Sequence, residues 1–284
     1  LTRAKNLRKI REKPIAPERL TMAGAKMGKR IGGSFFLLVV ISILSVIQTP
    51  DALARSGAQD EDDNHFRSLR EAMVREQISH PPDYRDPVKD PRVLEAMRSV
   101  PRRFFVPPSS ISLAYGDFPL PIGYGQTISQ PYIVALMTEM LQVKPGHKVL
   151  EVGTGSGYQA AILSQLVKEV YTIEIIKPLA LLAEERLKKL RYLDVQLRVG
   201  DGYYGWEEHE PFDRIIVTCA ATFVPPPLLR QLRPGGKMCI PVGAQYSVQY
   251  LTMVEKSEKG AITMKKTLPV RFVPLTRRDG EPWQ

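Results

Sequence analysis

The chain reads as an α/β fold: a mostly parallel sheet with helices on both faces, closing in an antiparallel pair of strands. Three observations predict it. From Lys148 onward, short β-branched runs alternate with helical patterns, the signature of successive βαβ units. The run 148–152 breaks directly into Gly153-Thr154-Gly155-Ser156-Gly157, and a helical pattern starts at Tyr158. That is a strand, a tight turn and a helix N-terminus, the arrangement in which backbone N–H groups face a ligand. After the run 237–242, two more strand-like runs follow with no helix between them, so they pair antiparallel.

The elements follow in order. Phe66, Leu69, Met73 and Ile78 recur at roughly helical spacing, with Asn64 placed to cap the helix they form. Asp90-Pro91 opens a second helix, 92–99, with aspartate at the N-cap and proline at the first helical position. The segment 106–126 is dense in Pro and Gly and reads as loop. Ser129-Gln130-Pro131 opens a third helix, 132–141. Strands are then predicted near 148–152, 170–174, 195–199, 214–219 and 237–242, with helices near 158–167, 178–191 and 226–232. The closing pair covers 248–254 and 262–272, and no internal repeat is present.

At 284 residues the chain has room for one large α/β domain and an extension, and 43% hydrophobic with 25% charged residues is a globular composition. The net charge of +10 suggests nucleic acid until it is located. Residues 1–30 hold ten Lys/Arg against two acids, a surplus of eight, which leaves about +2 for the rest. The reading is therefore a basic tail at 1–30, a signal-like or membrane-anchor segment at 31–54, a polar linker at 55–64 and the α/β domain at 65–284. Within the second part, 31–47 is almost uniformly apolar, with possible membrane contact, and Ala52-Leu53-Ala54 fits the small-x-small pattern that signal peptidase reads. Cys219 and Cys239 fall in apolar strand-like runs and read as small hydrophobes rather than a disulfide. His65, His80, His147 and His209 have no ligand spacing, so no metal site is argued.

The glycine loop identifies the ligand more closely. Its pattern is G-x-G-x-G preceded by Glu151, not the G-x-G-x-x-G of dinucleotide folds. Glu174 closes the second strand about 20 residues on, where an acid takes ribose hydroxyls. Asp201, followed by Gly202, sits just past the third strand and is placed either to reach an adenine amino group or simply to cap a turn. Taken alone, a glycine turn is often only a tight connection. Acids at three successive strand ends suit an adenosyl ligand with no pyrophosphate, and S-adenosyl-L-methionine fits. Glu151, Gly153, Gly155, Gly157, Glu174, Asp201 and Gly202 are the candidate cofactor-binding residues of a Rossmann-like, S-adenosylmethionine-dependent methyltransferase fold.

From 69 to 277 the chain resembles the protein-L-isoaspartate O-methyltransferase family. The resemblance rests on Arg92-Val93-Leu94-Glu95-Ala96-Met97, Val100-Pro101-Arg102-Arg103-Phe104-Phe105-Val106-Pro107 and Gly125-Gln126-Thr127-Ile128-Ser129-Gln130-Pro131-Tyr132. It continues through the glycine loop, Leu232-Arg233-Pro234-Gly235-Gly236-Lys237 and Val270-Arg271-Phe272-Val273-Pro274-Leu275. It implies methylation of the free α-carboxylate of isoaspartyl residues in damaged proteins and peptides, after which the ester recloses to succinimide and reopens in part to normal aspartate. It also implies Ser129 as the active-site serine, with Thr127 on the same substrate-facing loop. Ser129 is equally well placed as a helix cap. The chain departs from the family in its N-terminal extension and in a first loop lengthened by His80-Pro81-Pro82-Asp83-Tyr84-Arg85-Asp86.

Methyl transfer from a sulfonium to a carboxylate needs no general base, because a group with a reference pKa near ~4 is already ionised. Positioning supplies the rate, an effect of up to ~7–11 kcal/mol in well-oriented systems. A nicotinamide dehydrogenase is disfavoured by the glycine spacing, and a serine hydrolase by Thr154 where its motif needs the first glycine. A nucleic-acid methyltransferase lacks its acidic-or-Asn–Pro–Pro–aromatic motif, so isoaspartyl peptides rather than nucleic acid are the expected partners. The remaining rivals are a methyltransferase with another acceptor and a membrane-tethered binding protein without turnover. The expected location of the active form is the cytoplasm, where the methyl donor is made; the alternative is export or anchoring through 31–54.

Overall fold

The computed structural model describes residues 63–244 and 247–277. The basic tail, the apolar segment 31–54 and most of the linker lie outside the described residues. Among the described residues no helix is long and apolar enough to cross a membrane.

A helix (α1, 63–72) leads into a π-helical turn, Met73–Ser79, that buries Met73, Val74 and Ile78. Asn64 lies inside α1 rather than at its cap, its carbonyl accepting from Ser68 Oγ. Helix α2 (Pro91–Ser99) starts as its sequence requires: the Arg92 N–H donates to Asp90 Oδ1 at 2.9 Å, satisfying one of the orphan donors of the first turn. The Pro/Gly-rich stretch is not all loop. After a 3₁₀ turn at Arg102–Phe105, it holds a second one, Pro108–Leu113, and most of an antiparallel hairpin, β1 (Leu120–Gly123) with β2 (Gln126–Ile128). Strands of four and three residues are too short for a period of two to register. Helix α3 (Pro131–Leu141) then precedes the main sheet.

The sheet alternates as predicted: β3 (Lys148–Val152), α4 (Tyr158–Ser164), β4 (Glu169–Glu174), α5 (Lys177–Lys189), β5 (Val195–Val199), β6 (Phe212–Val217), α6 (Pro226–Gln231) and β7 (Leu232–Val242). Strands β8 (Gln249–Lys256) and β9 (Ile262–Val270) complete it, in the order β5-β4-β3-β6-β7-β8-β9. The first five pair in parallel; β7–β8 and β8–β9 are antiparallel. Strand β7 is longer than predicted because the Arg233-Pro234-Gly235-Gly236 turn is absorbed into it, with a register shift opposite Phe212 and Arg214.

Alternation along β3 sends Val149 into the apolar layer with α3 and α4, and Leu150 and Val152 into the opposite layer with Phe212, Ile215 and Leu228. Both sheet faces are covered, and Cys219 and Cys239 are buried and free. The chain leaves β3 toward β4 on one side, whereas β6 pairs with β3 on the other. The carboxyl ends of β3, β4 and β6 therefore open at a topological switch point, where open α/β sheets bind ligands.

Candidate active site

A cleft occupies this switch point. Its floor is Glu151 near the end of β3 and the loop that follows, Gly153, Thr154, Gly155 and Ser156; one wall is Glu174 to Ile176, the other Thr218 and Cys219. Gln126 to Ser129 close one end, and Val273 to Thr276 the other. Gly153 has φ +97°, and a Cβ there would lie 2.5 Å from Thr218 Oγ1, so the loop can follow this path only with glycine. Thr218 Oγ1 donates to the Gly153 carbonyl at 2.6 Å and fixes the turn to β6.

Glu174 ties the loop to the next helix. Its Oε2 accepts from the Gly155 N–H (2.8 Å) and its Oε1 from the Ile176 N–H (3.0 Å) at the start of α5. Burial raises its carboxyl above the ordinary range, against the lowering effect of those N–H groups. Glu151 is more isolated. Its Oε2 accepts from Thr172 Oγ1 at 2.6 Å, and Thr172 Oγ1 lies 2.6 Å from Thr154 Oγ1. Since a hydroxyl has one proton, an ionised Glu151 forces Thr154 to donate to Thr172. Glu151 Oε1 is buried with no hydrogen-bond partner among the described residues, and burial pushes the carboxyl up to about 8.

The other predicted residues divide. Thr127 and Ser129 reach the cleft; Gly202 also lines it, so close to Val152 that a Cβ would lie 2.4 Å from Cγ1. Gly157 sits behind it as the N-cap of α4. Asp201 stands at the edge, capping a 3₁₀ turn through the Tyr203 N–H (3.0 Å) and accepting from Arg277 Nε at 2.7 Å. Arg277 also stacks on the rings of Tyr203 and Tyr204. Ser129 does not cap α3: the N-cap position is Gln130, and among the described residues no hydrogen bond holds the Ser129 side chain. Sequence reading missed Thr218, Cys219 and the segment Val273 to Thr276. That segment reaches the cleft by pairing with Ala220, whose N–H donates to the Val273 carbonyl (2.8 Å) while the Leu275 N–H donates to the Ala220 carbonyl (2.7 Å).

A second cavity adjoins the first and shares Thr127, Ser129, Thr218 and Val273 with it. Its remaining lining is Arg85, Pro119, Gln130, Tyr132, Ile133 and 268–272. The two linings differ in charge. The first carries two carboxylates, Glu151 and Glu174, and no Lys, Arg or His; the second carries Arg85 and Arg271 and no carboxylate. Buried acids, one with an orphaned oxygen, suit a cationic adenosyl ligand and disfavour a pyrophosphate. Among the described residues no group of three or more His, Cys, Asp or Glu is placed to hold a metal.

A Rossmann-like sheet with an acid-lined glycine loop at its switch point is the fold of S-adenosylmethionine-dependent methyltransferases. The chain is similar to a solved protein-L-isoaspartate O-methyltransferase structure (30% identity, TM-score 0.63, covering 68% of this chain and 63% of that one). It is also similar to the structure of a protein from Plasmodium falciparum described as a putative member of that class, in complex with S-adenosyl-L-homocysteine (27% identity, TM-score 0.62, 75% and 98% covered). Residues 75–280 match the protein-L-isoaspartate(D-aspartate) O-methyltransferase family, to which the chain belongs. Protein-L-isoaspartate O-methyltransferase 1 of Cupriavidus necator is 63% identical over 186 residues, covering 66% of this chain and 72% of that protein. Protein-L-isoaspartate O-methyltransferase 2 of Syntrophobacter fumaroxidans is 50% identical over 254 residues, 88% of this chain and 99% of that protein. The activity is S-adenosylmethionine-dependent carboxyl methylation of isoaspartyl residues, the first step of their repair.

Proposed function

We propose that the two cavities divide this reaction between them: the acidic one takes the methyl donor, the basic one takes the isoaspartyl peptide, and Ser129 orients the free α-carboxylate where they meet. The observation that carries this reading is the contrast between two linings that share Thr127, Ser129 and Thr218: buried acids and no cationic side chain in one, guanidinium groups and no carboxylate in the other. S-adenosylmethionine supplies a methyl group on a sulfonium, which needs no metal and no base. Glu174, with Gly153 and Gly155, would hold the ribose side; Glu151 Oε1 offers an unused acceptor to a cationic group. Gly202 lets the base approach the backbone, and Asp201 stands at that end, fixed by Arg277. Ser129 Oγ, unclaimed by the helix behind it, donates to the acceptor carboxylate, and Thr127 flanks it. The acceptor is a peptide rather than a nucleic acid: outside the N-terminal tail the chain has little surplus positive charge.

Labelled-methyl transfer to matched isoaspartyl and aspartyl peptides tests the reading, with base-labile label expected only on the isoaspartyl peptide. Ser129→Ala should lower kcat/KM by ~10–100-fold, the loss of one hydrogen bond to a charged group. Ser129→Asp sets like charge against the acceptor and should nearly abolish methylation with the fold intact. A Ser129→Asp enzyme of near-normal activity would remove Ser129 from the mechanism.

The active form is further proposed to work in the cytoplasm, supported by the need for a donor made there; any membrane contact would run through 31–47. Fractionation of the native host with N-terminal sequencing tests this. Activity confined to the periplasm, on a chain beginning at Arg55, would overturn it.

A further inference from the structure

The lengthened first loop is built into the acceptor cavity. Arg85 lines that cavity and is fixed from three sides: Nε binds both oxygens of Asp83 (2.7 and 2.8 Å), Nη1 binds Asp117 Oδ2 (2.7 Å), and its guanidinium lies 4.5 Å from the Tyr132 ring centroid. Tyr132 Oη in turn donates to the Asp86 carbonyl at 2.8 Å. Two carboxylates neutralise Arg85, so it serves as wall rather than as free charge. Arg271 lines the same cavity, is exposed, and has no ion-pair or hydrogen-bond partner among the described residues. No carboxylate shares that lining.

A cation set directly on the acceptor oxygen would lower its nucleophilicity, so a free guanidinium in this cavity is better matched to a different anion on the same substrate. We propose that Arg271 is a specificity-determining residue that binds a carboxylate flanking the isoaspartyl residue, giving the enzyme a preference for isoaspartate in acidic sequence. Damage sites with an adjacent Asp or Glu are the substrate class this favours. The inference rests on the basic cavity being the peptide site.

Steady-state kinetics test it with two isoaspartyl peptides that differ only in an Asn-to-Asp or Gln-to-Glu change beside the isoaspartate. For the native chain, KM should be about 2–5-fold lower for the acidic peptide with kcat little changed, the range of one solvent-exposed ion pair. The ratio should fall toward one in high salt. Arg271→Gln should bring the KM ratio near one, and Arg271→Glu should invert it. Equal KM values in the native chain, or a ratio undiminished in Arg271→Gln, would overturn the proposal. Turnover of the neutral peptide is a separate reading: methylation there without any ratio fails only the role of Arg271, whereas no methylation of either peptide fails the peptide-site assignment and this inference with it.

Discussion

Glu151 is held at a cost that depends on pH. It is fully buried, one oxygen is unpartnered, and its carboxyl is pushed up to about 8. An acid whose folded pKa lies above its unfolded value binds its proton more tightly in the folded state. Its stability contribution is therefore fully present below the unfolded carboxylate range and is lost as pH rises through about 8. Glu151→Gln has no such loss. The melting temperature of the ligand-free native chain should thus fall relative to the variant between pH 5 and pH 9, and parallel melting curves across that range would contradict the assignment. Glu174 carries a smaller effect of the same sign, so some slope persists in the variant. At this scale the sequence was informative about residue type but not about state. The spacing of Glu151 and Glu174 marked them as ligand-facing acids, whereas the orphaned oxygen and the Thr154–Thr172 relay depend on neighbours from two strands. Asp201 likewise satisfies its turn-capping reading, but its pairing with Arg277 joins positions 76 apart.

The elements were legible where their signals are local. Asp90-Pro91 gives the start of α2, and β-branched runs give β3 to β6 within a few residues. The β1–β2 hairpin was not, because three or four residues between glycines carry no period. Strand β7 also outran its expected start: a Pro-Gly-Gly turn breaks a strand in sequence terms, yet here it is accommodated as a bulge beside β6. Glu174 shows how a strand end joins its neighbours, since one carboxylate closes the glycine loop through Gly155 and starts α5 through Ile176. Glu174→Ala therefore releases two backbone N–H groups and removes the proposed ribose contact. S-adenosylmethionine affinity measured by calorimetry should weaken by ~10–100-fold. Glu174→Gln, which keeps one acceptor, should fall between. Native affinity in the folded Glu174→Ala protein would reduce the residue to a strand-end cap.

At the scale of the whole molecule, the site gathers Gln126 to Ser129, the loop after β3, the ends of β4 and β6, and Val273 to Thr276. Three of these five follow from knowing that the sheet is parallel and where its order reverses; Gln126 to Ser129 lies at the separate β1–β2 hairpin and was marked only by the family resemblance. The last does not, because it lies beyond the antiparallel pair and returns to the switch point only through its pairing with Ala220. The resemblance in 270–275 flagged the segment without giving it a place. That return has a consequence for biogenesis. Chains emerge from the ribosome N-terminus first. A nascent chain that has delivered β9 holds every proposed donor-binding residue yet still lacks one end of the cleft. A chain truncated after Val270 is therefore expected to keep its sheet but to methylate an isoaspartyl peptide poorly, and native activity in that truncated chain would show the segment to be dispensable.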